Sequence, residues 1–385
     1  MPQSRFAITS PTRELVNTPL TLTIRGLQKP EEGDWALENE ETGELLPLQP
    51  ETGWFGSRAI LRFILPRIAK GQTLTFRLTR APSFPCRVSA EPLEGQRLRL
   101  SLDGQEVTCY HYSETFARPF LWPLAGPGGI RLTRDWPMEE REGEQQDHIH
   151  HRSLWSAHGD LNGTDNWTET EGHGRSRHYA FEEQTSGPVF GRLSAKHEWL
   201  TAGGEAFMRS YIDVTLYAID GDARILDYTI CFRPLSGPVR FGDTKEGGLI
   251  AVRVASSMCG DNGGLIENAY GGLTERECWG RPAPWVDYSG EAGGEICGIA
   301  LMEHPDNPHY PTRWHVRDYG LFAANPFALH DYLGSDQVDG SAVLEPGQVW
   351  KYAYRVVLHR GRAADAAIRD RFLAFAEGLE IEPLD

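Results

Sequence analysis

Residues 210–232 set the tightest limit on what this chain can fold into. Ile212, Val214 and Leu216 recur at every second position between Ser210 and Ala218; Asp220-Gly221-Asp222 follows, and a second apolar run extends from Ile225 to Phe232. Period two puts alternate side chains on opposite faces of an extended strand and is not a helical spacing. The acidic, glycine-centred break is turn chemistry, so the pair predicts an antiparallel hairpin. The pattern returns elsewhere. Leu98, Leu100 and Leu102 share a face ahead of an Asp103-Gly104 turn, and Trp350, Tyr352, Tyr354, Val356 and Leu358 share another. Long antiparallel strands with one apolar face suit a sandwich.

Helix is scarce. The clearest candidate runs from Ala363 to Glu377, where Ile368, Phe372, Phe375 and Leu379 follow helical spacing and Gly378 is the stop. With 41 Gly and 25 Pro the loops are many. Short strands such as Leu20–Ile24 and Thr73–Leu78 precede a connector at residues 80–86. The expectation is a mainly β chain: a small N-terminal β domain over residues 1–93, then a large antiparallel β-sandwich over residues 94–385 with a C-terminal helix.

Charge and composition exclude several classes. A formal net charge of −16 with no basic stripe repels nucleic acid. The longest apolar runs, such as the one around Ile250, fall short of the roughly 20 residues that a membrane helix needs. No basic-then-apolar leader opens the chain, and Cys86, Cys109, Cys231, Cys259, Cys278 and Cys297 are scattered without a CxxC pair. These points suggest a reduced, cytoplasmic protein with no membrane partner. The oligomeric state stays open.

The chemistry concentrates elsewhere. Six of the thirteen histidines lie between Asp147 and His178, interleaved with Asp160, Asp165, Asn162, Asn166, Trp155 and Trp167. Imidazole titrates near neutrality, binds metals and hydrogen-bonds polar ligands. The downstream glycines favour a strand running into a loop, which would put His148 and His150 on one face and His151 on the other. The spacing matches neither HExxH nor a two-cysteine pattern. Acid/base chemistry on a polar substrate, a metal site and plain structural histidines therefore stay open together.

Three further segments carry polar groups. Phe241-Gly242-Asp243-Thr244-Lys245-Glu246-Gly247-Gly248 presents an adjacent Lys and Glu at a strand end; a solvated ion pair is the bland account of it. Trp279 to Gly290 and His304 to Gly320 set Arg281, Trp285, Asp287, His315 and Asp318 in proline-rich surroundings, as pocket wall or as scaffold. No GxSxG elbow, GxGxxG turn or GxxxxGK[ST] loop is present.

Taken together, these blocks are familiar. Arg118-Pro119-Phe120-Leu121-Trp122-Pro123-Leu124 with Pro127-Gly128-Gly129 resembles the opening of the bacterial family catalogued as "methane oxygenase PmoA". Asp147-His148-Ile149-His150-His151-Arg152-Ser153-Leu154-Trp155, running to His158-Gly159-Asp160, resembles its DHxHHRGxWxxHGD signature, with Ser153 where glycine is usual. Gly242 to Gly247, Gly280-Arg281, Trp285 to Tyr288, and Trp314 to Gly320 continue the pattern, which spans about residues 95–358. The family label is not taken literally, because methane monooxygenase subunits are embedded in membranes. The resemblance implies a β-sandwich like the galactose-mutarotase supersandwich, in which a histidine acid and a carboxylate base flank a sugar ring.

The resulting expectation is a carbohydrate-active enzyme acting on a mono- or disaccharide, such as a keto-sugar or glycoside, without a cofactor. His150 or His158 would be the general acid and Glu246 the base, assisted by Lys245. Trp155 or Trp285 would be the stacking platform, with His151, Asp160, Arg281, Asp287, His315 and Asp318 contacting hydroxyls. One alternative is a metal-dependent oxygenase or hydrolase. It would hold a divalent transition metal on His148, His150 or His158 with Asp147 or Asp160. Another is a non-catalytic sugar-binding module.

Overall fold

The computed structural model describes residues 4–10, 12–51 and 58–384. Strand accounts for 51% of the residues and helix for 8%, so the chain is mainly β. Two eight-stranded antiparallel sheets face each other. One, the site sheet, has the strand order Trp314–Val316, Leu321–Ala324, Gly247–Arg253, Leu154–His158, Phe120–Leu124, Gln105–His111, Arg97–Leu102, Val88–Leu93. The other runs Arg175–Thr185, Phe190–Leu200, Ala206–Tyr217, Ala223–Pro234, Trp350–Arg360, Glu295–Glu303, Trp285–Ala292, Leu265–Asn268.

The expected hairpin is present. Ala206–Tyr217 pairs with Ala223–Pro234, with Ile212 opposite Ile230 and Val214 opposite Tyr228. Their inward faces meet Leu100, Leu121, Leu154, Val252 and Phe322 of the site sheet in one continuous core. Burial of these side chains at roughly 25 cal/mol per Å² is what holds the two sheets together. Alternation then turns the intervening residues of each sheet outward, where Phe120, Trp155, Ala251 and Ala323 form one cluster and Ile225, Trp285, Ala300 and Val357 another.

Ahead of the sandwich, Arg5–Ser10, Asp34–Asn39, Leu45–Pro47 and Gln72–Ala81 form a sheet that Ile381–Pro383 completes, and Leu15–Arg25 pairs with Arg58–Ile68. Phe6, Ile8, Ile24, Leu61, Phe63 and Phe76 fill a separate core between these layers. The strand Val88–Leu93, which ends at the boundary expected near residue 93, pairs with Arg97–Leu102 in the site sheet. Gln49 ties the front unit to the sandwich. Its Oε1 accepts from the backbone N–H groups of Val189 and Phe190 at 3.0 Å.

The C-terminal helix covers Ile368–Glu377 and ends at Gly378 (φ 68°), as the spacing implied. It starts five residues later than expected, because Ala367 adopts a left-handed φ of 50°. Ile368 and Phe372 press on the outer face of the second sheet, while Ala374 enters the front core. No described helix is long and apolar enough to cross a membrane.

Candidate functional site

Small residues create the site. Reading across the site sheet, Trp155 pairs with Ala251, Ala251 with Ala323, and Ala323 with His315. These four therefore form one row on the outer face. Trp155 and His315 stand three strand spacings apart, about 14 Å, with only two methyl groups between them. Such a floor leaves room for rings to lie on the sheet, and rings occupy it. His151 stacks on Trp155 (centroids 5.1 Å apart), His148 on His151 (4.8 Å) and Tyr319 on His148 (5.0 Å). Trp167 packs against Trp155 and His151 from the side.

The histidines reach this face from a turn. The strand begins only at Leu154; His148 has φ 46°, and the His151 N–H donates to the His148 carbonyl at 2.9 Å. This corrects the strand expected there. The physical reason is Arg134, which is fully buried and takes the carbonyls of Gln145, Asp147, His148 and His151. Carbonyls committed to a guanidinium cannot form a sheet ladder. Arg134 and Arg253 also share Asp147 Oδ1, each at 2.6 Å. Burial works to raise the Asp147 pKa, but Arg253, the hydrogen bond from His148 and Arg134 outweigh it and hold the group below its ordinary value. On the other flank Arg118 and Arg152 clamp Glu169, and Arg118 also binds the carbonyls of Asn166 and Trp167.

His150, His151 and His315 of this face are held neutral at pH 7. Burial pushes His150 down to about 4, with the Arg118 charge acting the same way. Burial also drives His151 well below its ordinary value. His315 is 2% exposed, and its ring nitrogens make no well-aligned hydrogen bond, although the Lys245 backbone lies close enough to act on the ring. Burial takes it down to about 3; the charges of Arg317 and Lys245 add to this, and the Lys245 backbone opposes it. The charge of His148 acts on His315 in the same direction as burial. At the mouth Lys245 Nζ contacts Glu246 Oε1 at 2.6 Å, with both side chains about a third exposed. The Tyr319 phenol lies within the fields of Arg253, Arg317 and Glu246; burial, its main influence, raises it to about 12.

Of the residues singled out in the sequence, His148, His150, His151, Trp155, Lys245, Glu246 and His315 share this outer face. His158 does not. It lies three residues after Trp155, so alternation turns it inward against Phe241 and Phe327, and its Nε2–H donates to the Gly242 carbonyl at 2.9 Å. Burial holds it at about 4. A metal site shared by His148, His150 and His158 is ruled out by this geometry. Among the described residues, no three His, Cys, Asp or Glu side chains group to hold an ion.

Asp160 closes a surface turn through Gly163 N–H and Arg240. Trp285 and Asp287 sit on the outer face of the opposite sheet; Trp285 packs under the C-terminal helix and Asp287 pairs with buried His359 at 2.6 Å. Asp318 accepts from the Glu275 N–H at 3.3 Å and braces the short helix Thr274–Cys278. Arg281 is exposed at the sheet edge, outside the buried cluster. Trp155 offers no free face for stacking, because His151 and Trp167 cover it.

Sequence reasoning missed Arg134, Arg253, Trp167 and Tyr319 as site residues. Arg253 did leave a signal: an arginine alternating with Val252 and Val254 in an otherwise apolar strand must face away from them. A separate cavity of about 460 Å³ lies between the front unit and the second sheet. Its arginines are already matched: Arg62 and Arg192 by Glu51, and Arg355 by Asp227.

The face just described draws on strands and loops between residues 118 and 323. No curated protein matches the chain. Residues 97–372 match the model of a family of unknown function, DUF6807. That match takes in the whole ring-stacked face and more than half of the chain, so the chain belongs to the family of unknown function DUF6807.

Proposed function

We propose that this protein is a carbohydrate-active enzyme that acts on a mono- or disaccharide, a keto-sugar or glycoside, at the outer face of the site sheet. The observation that carries this reading is His315, a buried imidazole without a well-aligned hydrogen bond, in one row with Trp155, whose indole N–H is unpartnered. Buried polar groups without partners carry a desolvation cost that a polar guest would relieve. Unsatisfied donors and acceptors on a face lined with aromatic rings suit sugar hydroxyls. The resemblance of the Asp147–Trp155 segment to the PmoA-labelled family supports the same class.

The proton-transfer roles follow from protonation state. With a pKa of about 4, His150 is protonated in roughly one molecule in a thousand at pH 7, so it serves as an acceptor and not as the general acid. Glu246 is the base, and Lys245, in contact with it, is the acid or the group that polarises a carbonyl. Six unpaired cysteines support a reducing, cytoplasmic setting.

The test is turnover of keto-sugars and glycosides followed by product NMR. Glu246→Gln and Lys245→Met should each lower it by about 10²–10⁴-fold with the fold intact. Full activity in both variants overturns the mechanism. Sugar binding with no product from the unaltered protein leaves a binding module instead of an enzyme.

A further inference from the structure

We propose that Tyr110, His178 and His197 form a site for one divalent transition metal ion between the two sheets. The site lies on the far side of the site sheet from the ring-stacked face and stands independently of the carbohydrate reading. His178 and His197 pair directly across the strands Arg175–Thr185 and Phe190–Leu200, on the same inward face as Leu193 and Ala195. Tyr110 reaches both from the opposite sheet: its Oη lies 2.6 Å from His197 Nε2 and 3.1 Å from His178 Nδ1. As they stand, the phenol donates to one ring and accepts from the other. The same three atoms are metal ligands. Donors about 2.0–2.1 Å from an ion stand roughly 2.9–3.4 Å from one another. The 3.1 Å separation already fits, and the 2.6 Å one must open by a few tenths of an ångström.

The surrounding chain holds these groups in place. A β-bulge follows His178, because His178 pairs with His197 and the next pair is Ala180 with Lys196. The extra residue, Tyr179, brings Phe181 round to the inward face as well, where alternation alone would turn it outward. Phe181 and Tyr112 then enclose the His178 ring, with centroids 4.4 and 4.6 Å away. A void of about 10 Å³ adjoins the triad, lined by Tyr110, Ser156, Ser176, His197 and Tyr228. It has the size and polarity that one water needs, which supplies a fourth ligand position. Burial keeps both imidazoles neutral, His178 at about 4 and His197 at about 3, and the neutral ring is the form that ligates. Burial also raises the Tyr110 phenol, whose titratable neighbours are Tyr112, Tyr228 and the two imidazoles, so an ion must displace its proton. Two nitrogens, a phenolate and a water suit Cu(II) best, with Zn(II) weaker. Arg175–Thr185 is the outermost strand of its sheet and His178 is half-buried, which leaves an ion a path from solvent.

The experiment is titration of the full chain with Cu(II), then with Zn(II), followed by visible absorption and proton release. One ion should bind per chain, releasing about one proton, with a phenolate-to-Cu(II) charge-transfer band. The band should be absent in Tyr110→Phe, and affinity should fall at least about tenfold in His178→Gln. The band of the unaltered protein and the half-buried His178→Gln keep the test decisive if Tyr110→Phe fails to fold. Binding without the band, or a band and affinity that the variants retain, puts the ion on other residues and overturns the site. No uptake of either ion overturns it too and leaves a hydrogen-bonded triad. None of these outcomes touches the sugar reading.

Discussion

Arg253 Nη1 lies 3.2 Å from Nδ1 of His151, and a guanidinium can only donate. That ring nitrogen is therefore the acceptor, and the neutral imidazole carries its proton on Nε2. The same arginine fixes Asp147 and Gln145, and its guanidinium carbon sits 4.6 Å from the centre of the Tyr319 ring. One side chain thus sets the tautomer of His151, the position of its loop and the ring stacked beyond it. Arg253→Met should cost about 3 kcal/mol, the low end for a broken buried pair because Asp147 is part-exposed. A urea midpoint equal to that of the unaltered protein would contradict this.

Ser153 occupies a left-handed conformation, with φ 55°, and is fully buried. A non-glycine residue there costs about 1–2 kcal/mol, offset by the 2.8 Å hydrogen bond from its hydroxyl to Thr133. Ser153→Gly exchanges one for the other and should stay within about 1 kcal/mol of the parent. Ser153→Val loses the bond, keeps the strain and adds a β-branch, so it should unfold far more readily. Equal thermal midpoints for the two variants would refute the account.

Burial holds His111 and His158 at about 4 and His197 and His315 at about 3, all below the ordinary value near 6.5. The unfolded chain therefore binds protons first as pH falls. Stability from these groups is complete above about pH 6.5 and drains away toward pH 4, by up to about 1.4 kcal/mol per pH unit for each. The urea midpoint should drop steeply over that window, and His158→Asn should show a shallower slope. A flat profile between pH 7 and 5 would count against buried neutral imidazoles.

Glu303 runs the other way. It is fully buried, and desolvation raises it to about 7 against the Thr312 N–H at 2.7 Å and the amide of Asn307. Its folded pKa exceeds its unfolded one, so its contribution is present at low pH and is lost as pH rises through about 7. Glu303→Gln should be more stable than the parent at pH 8, by about 1–3 kcal/mol, with the difference gone near pH 5. Measuring both proteins at both pH values decides it.

His150 and His158 separate function from fold. His150 faces the ring-stacked site, whereas His158 is buried against Phe241 and Phe327. His158→Gln should lower the thermal midpoint while leaving kcat per folded molecule within about twofold. His150→Gln should do the reverse, cutting activity by about tenfold or more with little change in midpoint. Exchange of the two outcomes would move the site to the other face of the strand.

Much of the fold was legible residue by residue. The strands at Arg97–Leu102, Ala206–Tyr217, Ala223–Pro234 and Trp350–Arg360 all show in period-two alternation. Gly378 marks the helix end correctly because a glycine stop is a local device. The helix start was not legible, since the left-handed φ of Ala367 falls on an alanine, a residue that gives no local sign of it.

Side-chain chemistry in the sequence singled out Asp147–His178 and determined that alternating apolar runs would pair into sheets, because both are properties of neighbours along the chain. Only tertiary structure decided which polar residues meet. His315 and Asp287 both sit in strands flanked by tryptophan, yet pairing through Ala323 and Ala251 carries His315 toward Trp155, while Asp287 ends on the other sheet beside His359. Strand order and facing depend on contacts between residues far apart along the chain, and no local pattern encodes those.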